Sequence, residues 1–188
     1  KTRTPYNMNN VRINQPARDG IPMMGTIALW VRDAKSGLVL RHFEIRNKIT
    51  FLAADILVEL LAQRATDPVP ARDLVYSMRM GTSNTAAARS DTNLGAYLIG
   101  KQLADVNKVT GGPGEITFTA TLATTDANGS TLREAGLFTA GATPSTSDTP
   151  GTTPGVTRMI ARQVHPDVPK TNAISVDYSW TIAFTATP

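Results

Sequence analysis

Glu134 is the residue in this chain whose surroundings most suggest chemistry. In "TLREAGLF" it alternates with Leu132, Gly136 and Phe138, so a strand here turns its carboxylate toward the core. A buried carboxylate must be paired or protonated, and a paired one can act as a general acid or base. Arg158, Arg162 and Lys170 are the cations available as partners. No nucleophile, phosphate loop or second carboxylate accompanies Glu134. The expectation is therefore a structural ion pair of Glu134 with Arg162 or Lys170, not a catalytic residue.

Other candidates are weaker. His42 falls within a strand pattern and His165 precedes a proline in a turn; neither has a second His or a carboxylate at metal-ligand spacing. Asp126-Ala-Asn128-Gly129 resembles the opening of a calcium loop. An EF-hand, however, places its Gly later, ends on a bidentate Glu and is flanked by helices. Here the flanks read as strands, so an Asn-Gly hairpin turn is expected. No G-x-x-x-x-G-K-[ST], G-x-G-x-x-G or G-x-S-x-G occurs. With no Cys, thiolate metal sites and Cys nucleophiles are excluded. No catalytic, cofactor-binding or metal-ligating residue is expected, and no cofactor.

The elements that would position these residues are mostly strands. Residues 1–22 have no sustained period and carry Pro5 and Pro16, which reads as an extended arm. "GTIALWVRD", the turn "AKSG" and "LVLRHFEIRN" form a hairpin. Thr50 is a candidate N-cap for "FLAADILVELLAQRA", where Leu52, Ile56, Leu60 and Gln63 form one stripe of an amphipathic helix over about 50–65. "LVYSMRM", "AYLIGKQLADVNKV", "GEITFTATLA", "TLREAGLFTA" and "VTRMIARQV" follow as strands, with "HPDVPK" as a turn and 141–155 as an exposed loop. In "AISVDYSWTIAF" six apolar residues, Ile174 to Phe184, alternate without a break.

The fold expected is mainly β: an antiparallel, jelly-roll-like β-sandwich over 23–188 with one helix and an N-terminal arm. The 188 residues suffice for one core, and 26 Thr suit a half-exposed pleated surface. The longest nearly apolar run, Phe51 to Ala62, carries Asp55 and Glu59 and is too short to cross a bilayer. The polar first twenty residues do not read as a signal peptide. The net charge of +4 is scattered, Arg41, Arg46 and Lys48 being the nearest approach to a cluster, so direct nucleic-acid binding is not expected. Trp30 is the one aromatic not assigned to a core face, as a carbohydrate-binding surface would require.

The order of these segments resembles a family of tailed-bacteriophage virion structural proteins. The resemblance rests on the Gly-Thr loop from Gly81 to Leu94, on "REAGLF" from Arg133 to Phe138, on Arg162 to Thr171, and on the terminal strand Ile174 to Phe184. It spans roughly residues 46–186. It implies a non-enzymatic, multi-copy protein of the virion, assembled in the host cytoplasm. Capsid decoration or cementing, or a tail, neck or baseplate position, would follow, with partners in the major capsid protein or the tail and neck proteins. The arm suggests a homo-oligomer laced through Tyr6, Arg12, Ile13, Arg18, Ile21 and Met23.

Overall fold

The computed structural model describes residues 23–51, 53–54, 75–109, 114–139 and 158–184. Nine strands run through them: β1 (Met23–Asp33), β2 (Val39–Ile49), β3 (Val75–Gly81), β4 (Tyr97–Gln102), β5 (Asp105–Val109), β6 (Glu115–Leu122), β7 (Thr131–Thr139), β8 (Met159–Pro169) and β9 (Ile174–Phe184). All pairings are antiparallel, in the order β4-β3-β7-β8-β2-β1-β9-β6-β5.

Period-two alternation produces one half of the sheet. Ile27, Leu29 and Val31 of β1 align with Val176, Tyr178, Trp180 and Ile182 of β9 and with Phe118, Ala120 and Leu122 of β6 on the buried face. On the opposite face, Thr26, Thr181 and Thr117 stand in one row across three strands, and the last two share a hydroxyl hydrogen bond of 2.8 Å. The other half contributes Met78, Met80, Ala135, Leu137 and Val168 to the same core cluster. β7 is buried on both faces from Glu134 to Thr139, because the 82–96 segment covers its outer side, with Leu94 against Phe138 and Met159.

Several expectations change. The β class holds, but the body is one continuous curled sheet rather than two independent ones, because β2 and β8 pair at Lys48↔Arg162 and Ile49↔Ala161. The amphipathic helix expected over about 50–65 lies mostly outside the described residues; Phe51, Ala53 and Ala54, which are described, are helical. "AYLIGKQLADVNKV" divides into β4 and β5. "HPDVPK" is largely strand: β8 continues to Pro169, with His165, Pro166 and Asp167 bulging opposite Arg133. The 123–130 turn joins no hairpin, because β6 pairs with β5 and β9 while β7 pairs with β3 and β8. Gly129 (φ 83°) and Ala127 (φ 53°) both adopt left-handed backbone there. The chain therefore crosses at that turn from one half of the sheet to the other. The 141–155 loop lies outside the described residues.

Candidate functional site

Glu134 lies at the centre of a polar node beneath the 82–96 segment. Its side chain is fully buried. Arg162 Nε donates to Oε2 at 2.8 Å, and Nη2 forms an ion pair with the same oxygen at 2.8 Å. The backbone N–H groups of Ser83 (3.3 Å) and Ala96 (2.7 Å) donate to Oε1, and that of Gly95 (3.0 Å) to Oε2. Arg162 reaches onward to Asp91 Oδ2 (2.7 Å) and to the Thr85 carbonyl (3.0 Å). Burial works against the Asp91 carboxylate, but the Ala88 N–H and Arg162 outweigh it and hold its pKa below the ordinary value. Burial likewise works against the Arg162 guanidinium, and its bonds to Asp91 and Glu134 outweigh that, raising its pKa. With every Glu134 oxygen accepting from the protein, the node pins a long connection to the sheet and presents no base to a substrate.

Of the cations considered for Glu134, Arg162 makes the contact and Lys170 does not. Lys170 is buried elsewhere, where its ammonium donates to the Thr171 carbonyl (2.9 Å) and Asn128 Oδ1 (3.3 Å) and its pKa is lowered by burial. Asp126, the first residue of the calcium-like sequence, pairs instead with Lys101 at 2.7 Å. His165 lies in β8 rather than in a turn, and is buried: Nδ1 lies 2.9 Å from the Pro166 carbonyl and Nε2 3.5 Å from the Tyr178 hydroxyl. Burial lowers the His165 pKa and raises that of Tyr178. His42 is exposed and stacks on Trp30, with ring centroids 4.9 Å apart. Among the described residues no group of three His, Cys, Asp or Glu could hold a metal ion. Of the proposed assembly contacts, Met23 opens β1, and Tyr6, Arg12, Ile13, Arg18 and Ile21 lie outside the described residues.

The feature that the sequence analysis missed is an open sheet edge. From Leu40 to Asn47, β2 pairs with β1 on one side and with no described strand on the other. Beyond Arg162 the facing edge of β8 is likewise unpaired with β2, and Arg41 Nη1 spans the opening to the Asp167 carbonyl at 3.1 Å. At its mouth Leu38, Val39 and Leu40 are 46–68% exposed. Their apolar side chains at a turn were legible, but the missing neighbour is a tertiary fact. No protein-family model, curated protein or solved structure matches the chain.

Proposed function

We propose that this protein is a non-enzymatic structural protein of a tailed-bacteriophage virion. It assembles with copies of itself and with other virion proteins, as a capsid decoration or cement protein, or alternatively as a tail, neck or baseplate component. The observation that supports an assembly role best is the open β2 edge. Backbone N–H and C=O groups that face no strand among the described residues, beside exposed Leu38, Val39 and Leu40, offer a template for strand addition. The buried, fully bonded Glu134 node fits a rigid building block rather than an active centre. The virion setting rests on the segment resemblance alone.

The test is native mass by sedimentation velocity, alone and with purified capsids or tails, for the full chain and for a chain lacking residues 1–22. A discrete oligomer that binds particles, and loses both properties on truncation, is the expected result. A monomer at high concentration that binds neither capsids nor tails overturns the reading. A carbohydrate-binding module is a second reading, favoured by the Trp30–His42 stack beside the Arg32–Asp177 ion pair on the polar face. Retention on a glycan array that Trp30→Ala abolishes would favour it.

A further inference from the structure

Lys170 follows the last residue of β8 and is only 1% exposed, yet it forms no ion pair among the described residues. Its Nζ donates instead to two neutral oxygens, the Thr171 carbonyl at 2.9 Å and Asn128 Oδ1 at 3.3 Å. Burial disfavours the ammonium and lowers the Lys170 pKa, with the charge of Asp126 partly opposing it, so the share of neutral amine grows. A neutral, desolvated amine is a nucleophile. The partner it faces is held in place as well. Lys170 N–H donates to the Ser130 carbonyl at 2.8 Å, and Gly129 N–H donates to the Lys170 carbonyl at 2.9 Å, so the 123–130 turn is tied to the end of β8. Asn128 Nδ2 donates to the Thr124 carbonyl at 2.9 Å, which leaves Oδ1 as the end that faces the amine. The carboxamide carbon lies one C=O bond, about 1.2 Å, behind that oxygen. Asn128 is exposed, so its side chain has room to rotate and present that carbon to Nζ.

An amine fixed against a carboxamide is the reactant pair of a transamidation, and holding the two together supplies much of what such a reaction lacks in water. We propose that Lys170 and Asn128 join in an intramolecular isopeptide bond once the chain has folded. The Nζ lone pair attacks Asn128 Cγ, the Nζ–Cγ bond forms and the Cγ–Nδ2 bond breaks. One proton passes from Nζ to Nδ2, which leaves as ammonia. One amide replaces another, so neither oxidant nor cofactor is consumed, and ammonia escapes from the exposed side of the turn. Asp126, two residues before Asn128, bears a charge that acts on Lys170 and favours the positive charge developing on Nζ during the attack. The bond would clamp the turn at which the chain crosses from one half of the sheet to the other. In a chain without cysteine it would constrain the unfolded state as a disulfide does elsewhere. This inference does not rest on the assembly reading.

The test is intact mass and tryptic peptide mapping of the full chain, kept folded for several days at mildly alkaline pH. The expected result is a chain lighter by one ammonia. Residues 109–133 and 163–188 should then be recovered as one joined peptide, because trypsin does not cut after an acylated lysine. Lys170→Arg keeps the charge and the hydrogen-bond donors without the reactive amine, and it should keep the full mass and give separate peptides. Asn128→Ala, at an exposed position, should do the same and serves as the control if the buried arginine prevents folding. A wild-type chain of full mass, with residues 163–170 released as a free peptide, overturns the proposal. So does an ammonia loss that persists in Lys170→Arg, which would be a succinimide formed by the Gly129 nitrogen on Asn128. A joined peptide that survives Asn128→Ala would overturn it too, by placing the acceptor on another residue.

Discussion

Arg162 on β8 and Glu134 on β7 meet at 2.8 Å with side chains 3% and 0% exposed, and together they anchor a segment that neither strand contains. Breaking a buried pair leaves an uncompensated charge, so Glu134→Ala should cost about 3–5 kcal/mol by chemical denaturation. A double apolar replacement, Glu134→Leu with Arg162→Met, removes both charges but strands the N–H groups of Ser83, Gly95 and Ala96. It should therefore stay destabilised, and so should Glu134→Gln, whose carboxamide offers one accepting oxygen where the carboxylate offers two. Full recovery in the double variant would show that the loop does not depend on the node.

Gly81 is the second support of that connection. A Cβ at this position would run into the Ala96 carbonyl and the Glu134 carboxylate, and neither can withdraw without giving up a bond. Gly81→Ala should destabilise by about 1–3 kcal/mol through forced repacking. The checks are the midpoint of denaturation and faster proteolysis within residues 82–96. An unchanged midpoint would mean that the loop moves aside freely.

His165 gives the protein a pH dependence. Burial depresses its folded pKa below the ordinary 6.5, partly opposed by the Pro166 carbonyl and by the charges of Glu134 and Asp167, while the Tyr178 hydroxyl faces Nε2. As pH falls through 6.5 the unfolded chain takes up a proton that the folded one resists, so stability declines from there toward the lower folded value. Asp91, held below its ordinary 3.8, adds its own loss only in more acid solution. Melting temperatures from pH 8 to 5 should fall, and His165→Gln should flatten that slope. An equal slope in the variant would assign the decline to other groups.

What was legible in the sequence was local. Six alternating apolar residues marked β9, and paired alternations around "AKSG" marked the β1–β2 hairpin, because a two-residue period is printed in the chain itself. Pairing between strands is not printed in this way. Asn128-Gly129 has the chemistry of a hairpin turn, yet its flanking strands enter different halves of the sheet, since turn residues set a reversal and not a partner. Pro166 and Pro169 suggested a rigid turn, but β8 carries them where its edge toward β2 has no ladder to interrupt. Glu134 was legible as a buried carboxylate, whereas the three backbone donors that fix its role come from a loop 38 to 51 residues away.

Trp180 is fully buried, and its indole N–H has no partner among the described residues. The ring's apolar volume and its orphaned donor act in opposite directions. Trp180→Ala should cost about 3–5 kcal/mol by opening a cavity in the core shared by β1, β6 and β9. Trp180→Phe sheds the unsatisfied N–H with part of the volume and should cost less than half as much. Comparable losses in the two variants would mean that the indole N–H is satisfied in solution.

The open β2 edge makes the last prediction. Natural sheets blunt such edges with charge, and here Leu38, Val39 and Leu40 leave the mouth apolar instead. Leu38→Lys with Leu40→Lys places two cations at the site of strand addition while touching no core residue, so the melt should shift by no more than about 0.5 kcal/mol. Self-association, followed by sedimentation velocity across a concentration series, should drop by an order of magnitude or more. An oligomer that forms unchanged would place the contact surface elsewhere on the molecule and leave the edge without a role in assembly.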